Sequence, residues 1–496
     1  MPTGGRPPAD TSGGEDEQRD SLRNLSLRGG VYLALRESVG IIIRLGGVLV
    51  VTRIIGPSSF GLYVSAAAFV AVLTSIAQLG VEVSLMSRTE VPSERTYDTA
   101  FTFLLVMSFG AAAVGIAGSF VVASVTQAPA YLAAFRVLLI SIPLNVCWAP
   151  AQARIERRFQ YRRMAALELL GDLVLYATSI SLALTGRGVW APTIGFIVWQ
   201  GFLFFGSLWA AGSAPRLAWD RQEIRRMLRF GSGYGFTNSV VSLGGLVNPL
   251  VVGHYLGSAG VGYVALARRL VSTLGFVNRA AWRLALVVLG RVQDDLARLR
   301  RGVEEAMSVQ VVLLGPLLVA FAVGSSFVVP ALFGHKWDPI IGIFPYLAIA
   351  DLFAAVFLIP QAVLYAKERN LAVVVKQVLN LVVLGVAALL LVPPLGLRGF
   401  GLAAVIATLP LYVVHVAARR IVKYRYDRTL PWLAAFVPPI CFQLAPWPFR
   451  LLLLAPMVLV VALPRSRKDL MEYTRTAWAS IRPGATSQVL DETPVP

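Results

Sequence analysis

Apolar stretches of about 20 residues recur along most of this 496-residue chain, and nothing else in it restricts the possible folds so strongly. A lipid interior offers no partner to a backbone amide, so a spanning segment must be a helix or part of a closed barrel. Barrel strands would alternate apolar and polar residues over about 10 positions. The runs here are continuous and about twice that length, which selects helices. With 56% hydrophobic residues and a mean hydropathy of +0.68, the chain has more apolar surface than a soluble globule can hide. The expected fold is an all-α polytopic membrane protein of about 14 transmembrane helices.

The net charge of +18 is the mark of many nucleic-acid binders, but its distribution says otherwise. Roughly 32 of the 45 Lys and Arg fall in the two tails and in alternate connections, and only about 5 in the others. Cytoplasmic loops collect such residues, so both termini are expected in the cytoplasm and the protein in the cell membrane, touching lipids and not nucleic acid. Residues 1–29 are polar, rich in Gly and Pro and without a signal-peptide core, and read as a disordered cytoplasmic tail. Cys147 and Cys441 sit in apolar segments as small core residues, and His254, His335 and His415 are far apart. Neither a disulfide, a metal nor a cofactor is expected.

One short stretch sets the organisation. "TRIIGPSSFGLY", 52–63, has a near copy in "GHYLGSAGVGYV", 253–264, with Gly56 over Gly257 and Gly61 over Gly262. Gly56-Pro57 ends one helix sharply and keeps its successor close. A second pair, "GRGVWAPTIGF" at 186–196 and "GLRGFGLAAVIA" at 396–407, joins the fifth and sixth segments of each set. Two related lobes of six helices follow, 30–212 and 230–418, parallel repeats about an axis along the membrane normal with a central cavity between them. Residues 213–229 form a cytoplasmic linker, in which Arg221, Arg225 and Arg229 share a helical face, as in a short interfacial helix or an ordinary basic loop. Two more helices occupy 419–463, and 464–496 is a cytoplasmic tail.

"TRIIGPSSFGLYVSAAAFVAVLTSIAQLGVEVSLMSR" and "LGSAGVGYVALARRLVSTLGFVNRAAWRLALVVLGRVQDD" resemble the two lobe signatures of the polysaccharide-transport and oligosaccharide-flippase family. That family lies within the superfamily that also holds multidrug extruders, and the resemblance runs over roughly 30–420. It implies movement of a lipid-linked glycan, a polyprenyl-pyrophosphate oligosaccharide, from the cytoplasmic to the outer leaflet, beside other membrane proteins of polysaccharide assembly.

Ionisable residues within apolar segments are costly and mark function. At about 100° per residue, Arg268, Arg279 and Arg283 fall within roughly 60° on the eighth segment. Guanidinium stays charged and offers paired donors to phosphate, as a pyrophosphate headgroup requires. Arg36 and Arg44 of the first segment, and Arg136 of the fourth, are candidates for the opposing wall. Arg269 is expected to snorkel to headgroups. Glu37, Glu168, Asp172 and Asp351 are candidates for ion coupling, although Glu168 and Asp172 have a simpler role in pairing with Arg162 or Arg163. "GSGYG" at 231–235 follows no strand, so Gly231 and Gly235 read as helix packing, not as a phosphate loop.

A multidrug extruder for cations would prefer acidic and aromatic residues, which the excess of intramembrane Arg opposes. A membrane glycosyltransferase or polymerase would need acids on a large outer loop, and the longest such loop is "ALFGHKWDP". A transporter, not an enzyme, is the expectation.

Overall fold

The computed structural model describes residues 12–88, 90–126, 129–158, 160–212, 214–276, 278, 296–367 and 369–462, with the side chains of 12–38, 121–130 and 370 outside the description. Among these residues the regular structure is helical. In chain order the principal helices are α1 (Ser12–Gln78), α2 (Val81–Met86), α3 (Glu94–Thr126), α4 (Pro129–Leu138), α5 (Ser141–Cys147), α6 (Ala149–Arg157), α7 (Tyr161–Leu184), α8 (Trp190–Ala211), α9 (Arg221–Val247), α10 (Gly253–Leu274), α11 (Leu296–Phe333), α12 (Pro339–Val356), α13 (Leu358–Ala366), α14 (Asn370–Leu395), α15 (Leu397–Ile406), α16 (Leu411–Arg419), α17 (Leu430–Ile440) and α18 (Ala455–Ala462). Ten helical stretches of the described residues are long and apolar enough to cross a membrane, and two shorter apolar ones, Leu430–Leu444 and Leu452–Ala462, follow.

Two of the longest stretches are broken by a glycine. Val39–Gln78 has 40 residues, about 60 Å of helix against a hydrocarbon core of about 30 Å. It breaks at Gly56, with φ 75° and ψ 175°. Gly257 breaks α10 in the same way, with φ 69° and ψ −174°. Positive φ at this ψ is open only to glycine, so the duplicated turn is a duplicated backbone conformation.

Lipid replaces a second layer of protein around the helices. Trp209, Leu390 and Phe205 are exposed, Trp209 at 85%, a pattern that water would penalise and hydrocarbon does not. Among the described residues the interior holds an apolar cluster around Tyr131, Phe135 and Leu138 and a small one around Ile155 and Met164 in the first half, and the largest around Trp337, Phe344 and Phe400, mostly in the second. α17 joins the second half because Gly315 of α11 leaves room for the Phe436 ring, which a Cβ there would meet at 2.2 Å.

Two expectations change. α1 begins at Ser12, inside the stretch expected to be disordered, since "EDEQRDSLRNLSLR" is made largely of good helix formers. The linker's arginines do not make a separate helix. Asp220 caps α9 by accepting from the amides of Gln222 and Glu223, so Arg221, Arg225 and Arg229 are its exposed first turns, with Ile224 and Met227 buried beneath. The non-helical part, 214–220, is strapped to α3 by Arg216 N–H on Asp98 and Ala218 N–H on Thr102.

Candidate functional site

The two copies of the glycine turn lie against each other. A Cβ on Gly61 would stand 1.7 Å from the carbonyl oxygen of Ser258, and one on Gly262 would stand 2.3 Å from that of Pro57. Each contact is the other with the copies exchanged, as an approximate two-fold axis demands. Arg53 closes the same end by donating to the carbonyls of Ala331 and Leu332 at 2.8 and 3.0 Å, at the end of α11. The Phe60 ring meets buried Trp337 edge-on at 6.0 Å. At the opposite end, Gly80 and Gly231 bring their backbones together, with carbonyls 2.1 and 2.4 Å from the positions of a Cβ, and Gly235 packs on Leu79. Gly231 and Gly235 thus serve helix packing, as expected. Arg88 pairs there with Glu223.

Between these ends, one ion pair ties helices within the first half and one hydrogen bond crosses to the second. Arg44 Nη1 donates to Asp172 Oδ2 at 2.9 Å, joining α1 to α7. One turn further along α7, the Tyr176 hydroxyl accepts from Arg269 Nη2 of α10 at 3.1 Å. Tyr176 reaches this position because Gly47 of α1 has no side chain, and a Cβ there would lie 2.1 Å from its ring. The expectation for Arg269 is therefore corrected. Asp172 meets Arg44, while Arg163 turns to Gln160 and the Ala210 carbonyl; Arg269 reaches across to the first half and does not snorkel. Helical periodicity compares residues of one helix and is blind to the facing one.

Each half also holds an open cavity that corresponds to one in the other half. In the second, α10, α12, α14, α15 and α16 surround about 410 Å³ containing Arg268, Lys376, Asp351, Asn380, Ser272 and Thr408. The Arg268 guanidinium lies 5.3 Å from the centre of the Phe400 ring, a cation–π contact that holds it without cancelling its charge. Asn380 Nδ2 donates to the Ala407 carbonyl at 2.6 Å. Asp351 Oδ2 is buried without a hydrogen-bond partner among the described residues. In the first half, α1, α5 and α8, with α9 as the last wall, surround about 210 Å³ lined by neutral groups that include Gln78, Asn145, Gln200 and Asn238. The corresponding stretches are Ala67 to Ala71 and Arg268 to Ser272, at the spacing of the duplicated turns.

Of the expected headgroup residues, Arg268 lines the second cavity and Arg44 faces Asp172. Arg136 is exposed and turned to α3, with Nε on Ser119 at 3.2 Å and its guanidinium over Phe120 at 5.1 Å, so it lines neither cavity. Arg279 and Arg283, and the side chains of Arg36 and Glu37, lie outside the described residues. Of the expected coupling acids, Asp351 lines the second cavity, Asp172 is buried in its ion pair and Glu168 stands one turn before it. Sequence reasoning missed Lys376, Asn380 and Gln200. Lys376 was signalled by being the lone charge in "LAVVVKQVLNLVVLGV", but polar uncharged residues carry no such signal. Among the described residues no cluster of three or more His, Cys, Asp or Glu would hold a metal.

The profile described as polysaccharide biosynthesis protein matches residues 50–342, which contain both copies of the turn. The lipopolysaccharide biosynthesis protein WzxC of Escherichia coli is 22% identical over 352 residues, 70% of this chain and 71% of that protein. The succinoglycan biosynthesis transport protein ExoT of Rhizobium meliloti is 23% identical over 59% of this chain and 60% of its own length. In fold, the inward closed conformation of the lipid II flippase MurJ superposes with a TM-score of 0.68 at 13% identity, over 90% of this chain and 99% of that one. An inward-facing multidrug resistance MATE transporter gives 0.62 at 16% identity, over 78% and 98%. Taken with the paired glycine turns, the match over more than half the chain makes this multi-pass membrane protein a member of the polysaccharide biosynthesis protein family.

Proposed function

We propose that this chain is a flippase for a polyprenyl-pyrophosphate-linked oligosaccharide, carried from the cytoplasmic to the outer leaflet for cell-surface polysaccharide. The observation that carries this reading is a cavity inside a membrane domain with two cations and one acid, Arg268, Lys376 and Asp351. Unpaired cations cost several kcal/mol to keep at such a depth, and a pyrophosphate supplies the missing negative charge with oxygens suited to guanidinium and ammonium donors. Arg279 and Arg283 extend this cationic face in the sequence, and Arg36 and Arg44 are the first-lobe candidates for the opposing wall. The family, the fold shared with a lipid II flippase and relatives named for lipopolysaccharide and succinoglycan support the same substrate class.

Both termini lie in the cytoplasm of a cell-membrane protein in this reading, so the paired glycine turns form the outer seal. Transport by alternating access separates Gly61 from Ser258 and Gly262 from Pro57 as the lobes, 30–212 and 230–418, rock about the central site. The polyprenyl tail stays in lipid throughout. About fourteen helices, with the last two outside the lobes, complete this organisation. Glu37, Glu168, Asp172 and Asp351 are the groups proposed for coupling to an ion gradient.

The test uses proteoliposomes with a labelled polyprenyl-pyrophosphate oligosaccharide and a membrane-impermeant reagent for its headgroup. Faster exposure with wild-type protein, lost in Arg268→Ala and Arg279→Ala, supports the reading. Equal exposure with and without protein, under an imposed ion gradient, overturns it in favour of an extruder.

A further inference from the structure

The cavity of the first half has a chemistry of its own. None of its lining side chains is charged, and its polar ones are amides and hydroxyls, among them Gln78, Ser141, Asn145, Gln200 and Asn238. Such groups both donate and accept, and so do sugar hydroxyls. Gln200 is 2% exposed and its side chain makes no hydrogen bond among the described residues, although it lines the cavity. Its amide borders the cavity space, so its donors and acceptor are left to whatever fills it. Gln78 Nε2 donates to Asn145 Oδ1 at 3.2 Å, which leaves the Asn145 N–H donors and the Gln78 carbonyl for a ligand. Phe196 adds an aromatic ring to the wall, propped at 5.4 Å by Trp199, and aromatic rings suit the apolar C–H face of a sugar. The space of 210 Å³ equals about seven water volumes of about 30 Å³, the scale of one sugar ring.

We propose that the first-half cavity is a subsite for an uncharged sugar of the carried glycan, while the pyrophosphate goes to the cationic cavity of the second half. The assignment rests on the flippase reading and deepens it. Division of the ligand between the halves has a mechanical consequence. Asn238 belongs to α9, the first helix of the second lobe, whereas Gln78, Ser141, Asn145, Phe196 and Gln200 belong to the first. A sugar bound here touches both lobes, so the cavity changes shape when they rock, and release of the sugar is tied to that motion.

The experiment compares two labelled lipids in the same proteoliposomes: the polyprenyl-pyrophosphate oligosaccharide and polyprenyl pyrophosphate without sugar. Full-length wild type, Gln200→Leu and Asn238→Ala are each assayed for initial flipping rate against lipid concentration, with thermal unfolding as the check on folding. A fall of at least about 10-fold in the preference for glycosylated over bare lipid, about 1.4 kcal/mol, in either folded variant supports the proposal. Wild-type flipping with preference unchanged in both variants, or with both lipids slowed equally, overturns the subsite and leaves the flippase reading standing. Wild type that moves neither lipid overturns the flippase reading, and the subsite with it.

Discussion

Two of the cavities among the described residues stand in corresponding parts of the duplicated halves, each walled by the second, fourth and sixth helices of its half, yet one is charged and the other neutral. Where the second half has Arg268 and Ser272, the first has Ala67 and Ala71. The glycine turns behave in the opposite way, agreeing in backbone conformation and contacting each other reciprocally. The difference lies in what each place must satisfy. A close crossing of two backbones admits no Cβ, so both copies must meet one steric condition. A cavity wall needs only to match its ligand, and two cavities can match two parts of one ligand.

The largest effect is expected from removing the charge contrast. Arg268→Ala with Lys376→Ala should slow flipping at least about 100-fold, since each charged hydrogen bond contributes about 1.5–3 kcal/mol, while thermal unfolding stays near wild type; proteoliposome initial rates with a melting curve check both. Next comes the symmetric contact. Gly61→Ala should destabilise the seal by about 3 kcal/mol or more, and Gly262→Ala by less, because 1.7 Å is the worse clash. Reagent labelling of Ser258→Cys in each background measures the opening, and equal labelling in both would break the ranking.

A smaller effect belongs to the first half's own charges. Arg44→Ala takes the guanidinium from a carboxylate that is 8% exposed, at a cost of about 2 kcal/mol, and Asp172→Asn added to it should recover part of the loss in chemical denaturation. Failure to recover any would mean that the pair is not coupled. Arg136→Ala is expected to do least. It lines neither cavity, so stability should change by less than about 0.5 kcal/mol and flipping by less than about twofold, both readable in the same assays.

How much of this was legible depended on range. The glycine turns could be read because the requirement is local: a residue of positive φ, a proline after it and a second copy at fixed distance. Arg268 and Asp351 could be read because a charge in an apolar run is conspicuous. Gly231 and Gly235 could be read as packing residues because no strand precedes them. Arg44–Asp172 and Arg269–Tyr176 were not legible, since each joins helices far apart in the chain. Gln200 and Asn145 escaped because a lone amide in an apolar helix gives the same signal whether it faces lipid, a neighbour or a cavity.

Composition and periodicity by themselves determined that the chain is a bundle of membrane helices in two repeated halves. Hydrocarbon forbids unpaired amides, and that condition acts on each segment separately. Only the tertiary structure decided which charges meet, which cavity is cationic and which is neutral, and that the two turns seal one end of the molecule. Those outcomes depend on the rotation and depth of each helix against its neighbours, set by packing between residues far apart in sequence.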